Sequence, residues 1–289
     1  MAILTIIFLF FRIQPTLDIV AYTEKIDVKL AETDISGNNH EIYFERAIIC
    51  GKIDPISNNA NPTCGHRKLI SSNFNGTITL NGSTKLTLIY SKRNSRIKIR
   101  LLRANTVGLL RDGAKKSSPL ELPDDVYIEV LDYGSYSNRI MFPMMLQSFK
   151  IGGSGVAIST NNAGILRSGR ALIIDQDLWG RHVQVGREFK FSPGEIINFC
   201  QNTDLDEISC NSSLSILEID DKTISFYARV PLENVFVHKL GTSGYKIQVS
   251  WWQRLASEPV ILLSWSLLGL FSFALSLKIN IGSIYHLKD

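Results

Sequence analysis

The chain has 289 residues, a formal net charge of +4, 45% hydrophobic and 20% charged residues, and four cysteines. A length and apolar content of that order can bury one large domain or two smaller ones. The near-balanced charge excludes a wholesale polycation, so any attraction to an anionic partner must be local.

The first apolar run, Ala2–Phe11 (AILTIIFLFF), is interrupted only by Thr5 and is followed by Arg12 and Pro15. Ten residues are too few to span a bilayer but match a signal-peptide core, and Ala21 supplies a small residue for cleavage. Residues 1–22 therefore read as a signal peptide. The competing reading, an uncleaved N-terminal anchor, would place Arg12 at mid-bilayer, at about 2.5–3.5 kcal/mol.

Residues 23–252 read as a β-rich extracytoplasmic domain. In Glu24–Ala31, Ile26, Val28 and Leu30 alternate with Lys25, Asp27 and Lys29, which places the apolar set on one face of a strand. Glu41–Ile49 gives a second strand. Thr77–Leu80 and Thr84–Tyr90 flank Asn81-Gly82, a pair suited to a tight hairpin, and a turn at 92–95 leads into Arg96–Leu102, completing an expected three-strand meander. Further strands are expected at Val126–Leu131, Arg139–Leu146, Gly169–Ile174, His182–Phe191, Leu214–Ile219, Thr223–Val230, Asn234–His238 and Tyr245–Ser250. Short strands between frequent turns describe an antiparallel sandwich or barrel-like fold. The turn-rich stretch at 151–169, with Gly152-Gly153-Ser154-Gly155, is the expected seam if the domain is divided.

The cysteines fall into two local pairs. Their spacing favours Cys50–Cys64 and Cys200–Cys210 as disulfides, and the lack of a C-x-x-C pair argues against zinc. Asn75, Asn81 and Asn211 head glycosylation sequons, but a chain this rich in Asn, Ser and Thr produces about three by chance.

Charge is unevenly distributed. Lys85–Lys116 holds ten Lys and Arg against the single acid Asp112, whereas Phe191–Asp221 holds seven acids and no base. Arg96, Lys98 and Arg100 share one face of their strand and offer a surface for an anionic glycan or lipid headgroup. A nucleic-acid partner is not expected, because no aromatic residues interleave that strand. The bland alternative is a solvated sheet face neutralised by acids of the same chain.

A catalytic alternative rests on Asp175, Asp177 and His182 in IIDQDLWGRH. Residues i and i+2 share a strand face, so the two carboxylates could divide acid and base roles in a membrane-tethered hydrolase. There is no serine-nucleophile elbow and no phosphate loop backed by a helix, and neither a metal nor a cofactor is expected.

The carboxyl end is the strongest signal. Pro259–Leu277 passes nineteen residues without a formal charge, about 28 Å at the helical rise and close to the hydrocarbon thickness. Residues 255–278 read as a transmembrane helix, with 279–289 as a short tail. Trp251 and Trp252 before it, and Tyr285 after it, suit the two headgroup layers. The expectation is a single-pass membrane protein with its bulk in a periplasmic, lumenal or cell-surface space. Its partners are the bilayer and other proteins, and its role is binding, assembly or sensing, for example within a membrane complex.

Overall fold

The computed structural model describes residues 15–33, 39–51, 74–91, 96–112, 118–130, 140–153, 165–176, 180–200, 213–220, 223–239, 244–257 and 259–285. The chain divides into two compact units. One comprises 16–171 with 188–247, and the other comprises 1–15, 172–187 and 248–289.

The first unit is built on alternation. In β1 (Thr16–Thr23), Leu17, Ile19 and Ala21 are buried while Asp18, Val20 and Tyr22 face outward. Along its whole length β1 pairs with β16 (Thr223–Pro231), from Thr16 opposite Pro231 to Thr23 opposite Ile224. A leader ending near Tyr22 would therefore cut through a paired core strand, and residues 16–22 belong to the fold. The expected leader core lies outside the described residues.

The next strands are β2 (Lys25–Leu30), β3 (His40–Cys50), β4 (Phe74–Leu80), β5 (Lys85–Ser91), β6 (Arg96–Leu102), β7 (Gly108–Asp112), β8 (Leu120–Leu122) and β9 (Asp125–Val130). They pair antiparallel in the order β2–β5–β6–β9–β3–β4–β7–β8. The hairpin expected at Asn81-Gly82 does not form. β4 is flanked by β3 and β7, and β5 by β2 and β6, so neither has an edge left for the other. The turn serves a crossover instead: Ser83 adopts φ +60°, and Gly82 packs so closely on the Glu32 backbone that a Cβ would clash. Of the expected meander, only the β5–β6 pair is present.

The twelve-residue β10 (Ile140–Ile151) joins this set to the rest. Along one edge its first part pairs with β15 (Ser213–Asp220) and its last residues with β14 (Ile196–Phe199). Residues from Leu146 onward pair with β2, across a register shift between Leu146 and Ser148. Pro143, which cannot donate to a ladder, stands on the stretch that β2 does not reach. β15 continues to β16 and β1, while β14 continues to β17 (Val235–His238) and β18 (Tyr245–Lys246). β11 (Leu166–Gln176) covers the strand expected at Gly169–Ile174, while β12 (His182–Gln184) and β13 (Phe189–Phe191) replace the single strand expected over His182–Phe191. Gly186, at φ +75°, interrupts that stretch, and β12 and β13 each pair with β11. The protein is mainly β, with one large antiparallel sheet that is not closed, so the barrel form of the expectation does not hold.

The second unit contains the end of β11, β12 and two helices. The span expected over 255–278 is divided differently: α1 takes Trp251–Ser257 and α2 runs from Pro259 to Tyr285, with proline at a favourable first helical position. Among the described residues no helix is long and apolar enough to cross a membrane. The side chains described in α2 run from Leu262 to Ser276, about 22 Å against a hydrocarbon layer of about 30 Å.

Phe149 anchors the interior of the first unit. Its ring lies 5.2 Å from Phe199, stacked, and 4.9 Å from Phe226, edge-on, and all three are fully buried. Phe149→Ala should cost about 3–5 kcal/mol, read as a lowered urea midpoint, with Phe149→Leu recovering much of the loss.

Candidate functional site

Antiparallel pairing places directly opposite residues on one face, so the registers lay out the outer surface of β10, β2, β5, β6 and β9. One rung is centred on Lys150 of β10. In one direction it passes through Asn198 and Phe236 to Lys246 of β18. In the other it passes through Asp27, Thr87 and Arg100 to Tyr127 of β9. The neighbouring rung sets Lys29 directly opposite Lys85. On the other side, Lys25, Ile89, Lys98 and Glu129 line up. Sequence reasoning found only the β6 part of this face.

Within that part, Arg100 is committed. Its Nε donates to Asp125 Oδ1 at 3.0 Å and its Nη2 to Asp125 Oδ2 at 2.8 Å, while the guanidinium lies 5.2 Å from the Tyr127 ring centre. The Asp125 hydrogen bonds raise the Arg100 pKa further above its ordinary value. Lys98 stands opposite Glu129, and the Arg96 side chain lies outside the described residues. Asp27 accepts from Thr87 Oγ1 at 2.7 Å and approaches Lys25 at 3.5 Å. Among the described residues, the acids on the face come from β2 and β9.

Asp175 and His182 are not brought together. Asp175 is opposite Val183 and His182 is opposite Gln176, so Asp175 and His182 point to opposite faces; Asp177 lies outside the described residues. Asp175 is buried, with Oδ1 accepting the Gln176 amide at 2.8 Å and Oδ2 lacking a hydrogen-bond partner. Its counter-charge is Arg254 of α1, whose Nε stands 3.9 Å away and is likewise unsatisfied. This pair ties α1 to the β11–β12 hairpin, a link invisible in sequence because the two residues are 79 positions apart. Among the described residues, no three His, Cys, Asp or Glu side chains converge as a metal site.

No family model matches this chain, and neither a curated protein nor a solved structure matches it. Cys50 and Cys200 are each disulfide-bonded and no described cysteine is free. Cys64 and Cys210 lie outside the described residues, so no disulfide has both ends among those described. Trp252 is 59% exposed on α1, while the side chains of Trp251 and Tyr285 lie outside the described set.

A second surface feature is a hollow of about 520 Å³ over β1, β15 and β16, lined by Val20, Leu214, Ile216, Tyr227 and the Asp18–Arg229 pair. Arg229 Nε and Nη2 both donate to Asp18 at 2.6 Å. Burial first, then a hydrogen bond with Tyr22, raises the Tyr227 pKa, and burial likewise raises that of Tyr127.

Two predictions follow from these contacts. Arg254→Ala should cost about 1–3 kcal/mol by leaving the buried Asp175 carboxylate without its cation, whereas the double variant with Asp175→Asn should cost less than Arg254→Ala alone; thermal melts of the four proteins check this. The folded state holds the Tyr127 and Tyr227 protons more tightly than an unfolded chain, whose tyrosines titrate at about 10. Their contribution is therefore complete below that pH and is lost as pH rises through the folded values. Melting temperature should fall above about pH 10, and less steeply in Tyr227→Phe.

Proposed function

We propose that the protein is a membrane-anchored β-domain whose bulk faces an extracytoplasmic space and which acts as a binding, assembly or sensing module, as a subunit of a membrane complex. The observation that carries this reading is the surface of α2. Leu263, Trp265, Leu268, Leu270 and Phe271 are each more than 60% exposed, and every described side chain from Leu262 to Ser276 is exposed. A helix apolar on all sides calls for an apolar environment, a protein core or a membrane. The helix has twenty-seven residues, about 40 Å at the helical rise, and Lys278 is the one formal charge in them.

Two further features support it. Oxidised Cys50 and Cys200 suit an exported domain, with Cys50–Cys64 and Cys200–Cys210 as the pairing that local spacing favours. Ser264, Ser266, Gly269, Ser272 and Ser276 punctuate α2 with small residues that allow close approach of other helices, and nothing in the protein lies within 4 Å of a Cβ placed on Gly269. A hydrolase using Asp175, Asp177 and His182 lacks comparable support, since Asp175 and His182 face apart.

The test is fractionation of two chains, full length and ending at Ser257. The full chain should pellet with membranes and resist alkaline carbonate, with its β-domain sensitive to added protease only from the extracytoplasmic side. The shortened chain should be released in soluble form. A full-length chain that stays in the supernatant without detergent would overturn the reading.

A further inference from the structure

The outer face of β2, β5, β6 and β10 carries more positive charge than its own acids answer. Lys29 and Lys85 stand directly opposite each other on paired strands, an arrangement that destabilises a sheet unless an anion lies over it. Among the described residues, Lys29, Lys85, Lys98 and Lys150 have no ion-pair partner. Asp27 and Asp125 are already engaged, by Lys25 with Thr87 and by Arg100 respectively. Charge complementarity therefore calls for a polyanion.

The rung through Lys150 gives that partner a shape. Lys246, Lys150 and Arg100 occur at every third strand, which sets neighbouring cations about 14 Å apart at ordinary strand spacing. The two outer cations sit over rings, Lys246 Nζ 5.7 Å from the centre of Phe236 and Arg100 5.2 Å from that of Tyr127. A cation beside an aromatic ring matches a uronic acid, which is apolar on its ring face and anionic at its rim. Ordinary sheet twist turns such a rung by on the order of 150° across its seven strand intervals. A flat bilayer could meet only part of it, whereas a linear polymer can follow the turn.

We propose that this face binds an extended acidic polysaccharide laid across the strands, its carboxylates meeting Lys246 and Lys150 in succession and the Lys29–Lys85 pair beside them, with the Arg100–Tyr127 stack as an apolar platform for a sugar ring. The proposal rests on the reading of the β-domain as extracytoplasmic, where such polymers are met. The full chain in mild detergent is titrated with polygalacturonate, with neutral dextran and, separately, with anionic phospholipid vesicles. Polygalacturonate should bind and dextran should not, with affinity falling at least about tenfold between about 50 mM and about 300 mM salt. Lys85→Glu should weaken binding about fivefold or more while leaving the melting temperature unchanged or raised, because the new carboxylate faces Lys29; Lys150→Gln should weaken it without altering the fold. Equal binding of dextran, binding of vesicles without polygalacturonate, or unchanged affinity in both variants would overturn the proposal. Because the titration is done in detergent, its outcome is readable whether or not fractionation supports the membrane anchor.

Discussion

The double pairing of β10 is the constraint on which the rest of the first unit depends. One edge holds β15 and β14 in tandem while the other holds β2, so among the described strand pairings β10 joins the β2–β9 succession to β14–β18 and the long β1–β16 ladder. Its buried residues change phase along its length. Met144 and Leu146 point inward before the register shift, and Phe149 and Ile151 after it. A bulge there lets one strand serve two registers, because an extra residue moves the inward set from even to odd positions. Phe149, the first inward residue after the shift, is also the one in contact with both Phe199 and Phe226. The break in alternation and the centre of the aromatic core are thus consequences of the same inserted residue.

That bulge also explains part of what the sequence concealed. Alternation is legible wherever it is unbroken: β2, β3, β6, β9, β15 and β16 all lie where period two puts them. The strand expected at Arg139–Leu146 stops where the phase changes, short of its end at Ile151. β1 was hidden differently, since Leu17, Ile19 and Ala21 follow an apolar run that looks like a leader. Pairing was harder still. Asn81-Gly82 favours a hairpin locally, but a turn sequence cannot know that both edges of β4 and β5 are occupied by strands from elsewhere.

The basic face obeys the same logic. Charge counting located Arg96, Lys98 and Arg100 because they are close together in sequence. Lys29, Lys150 and Lys246 join them only through registers set by six strand pairs, and no local window contains that information. Conversely, Asp175 and His182 are close in sequence but divided by the pleat. A hairpin brings Asp175 and His182 near in space while alternation sends their side chains to opposite faces. The pairing that the structure does make, Asp175 with Arg254, attaches a helix to the hairpin.

The helix α2 presents the opposite imbalance to the basic face, with surface that is apolar where the other is charged. An amphipathic helix would bury one stripe against its own protein and leave the other to water. The described part of α2 has no such stripe, because all of its side chains from Leu262 to Ser276 are exposed. At roughly 25 cal/mol per Å² of apolar surface, leaving leucines, phenylalanines and a tryptophan in water would outweigh the marginal stability of an isolated helix. Intrinsic propensity cannot make up that deficit, so these side chains call for an apolar environment, a protein core or a membrane. In either, Ser264, Gly269 and Ser272 leave room for close packing against other helices. Each environment satisfies the same physical demand, and a helix with small residues set among large apolar ones is suited to both at once.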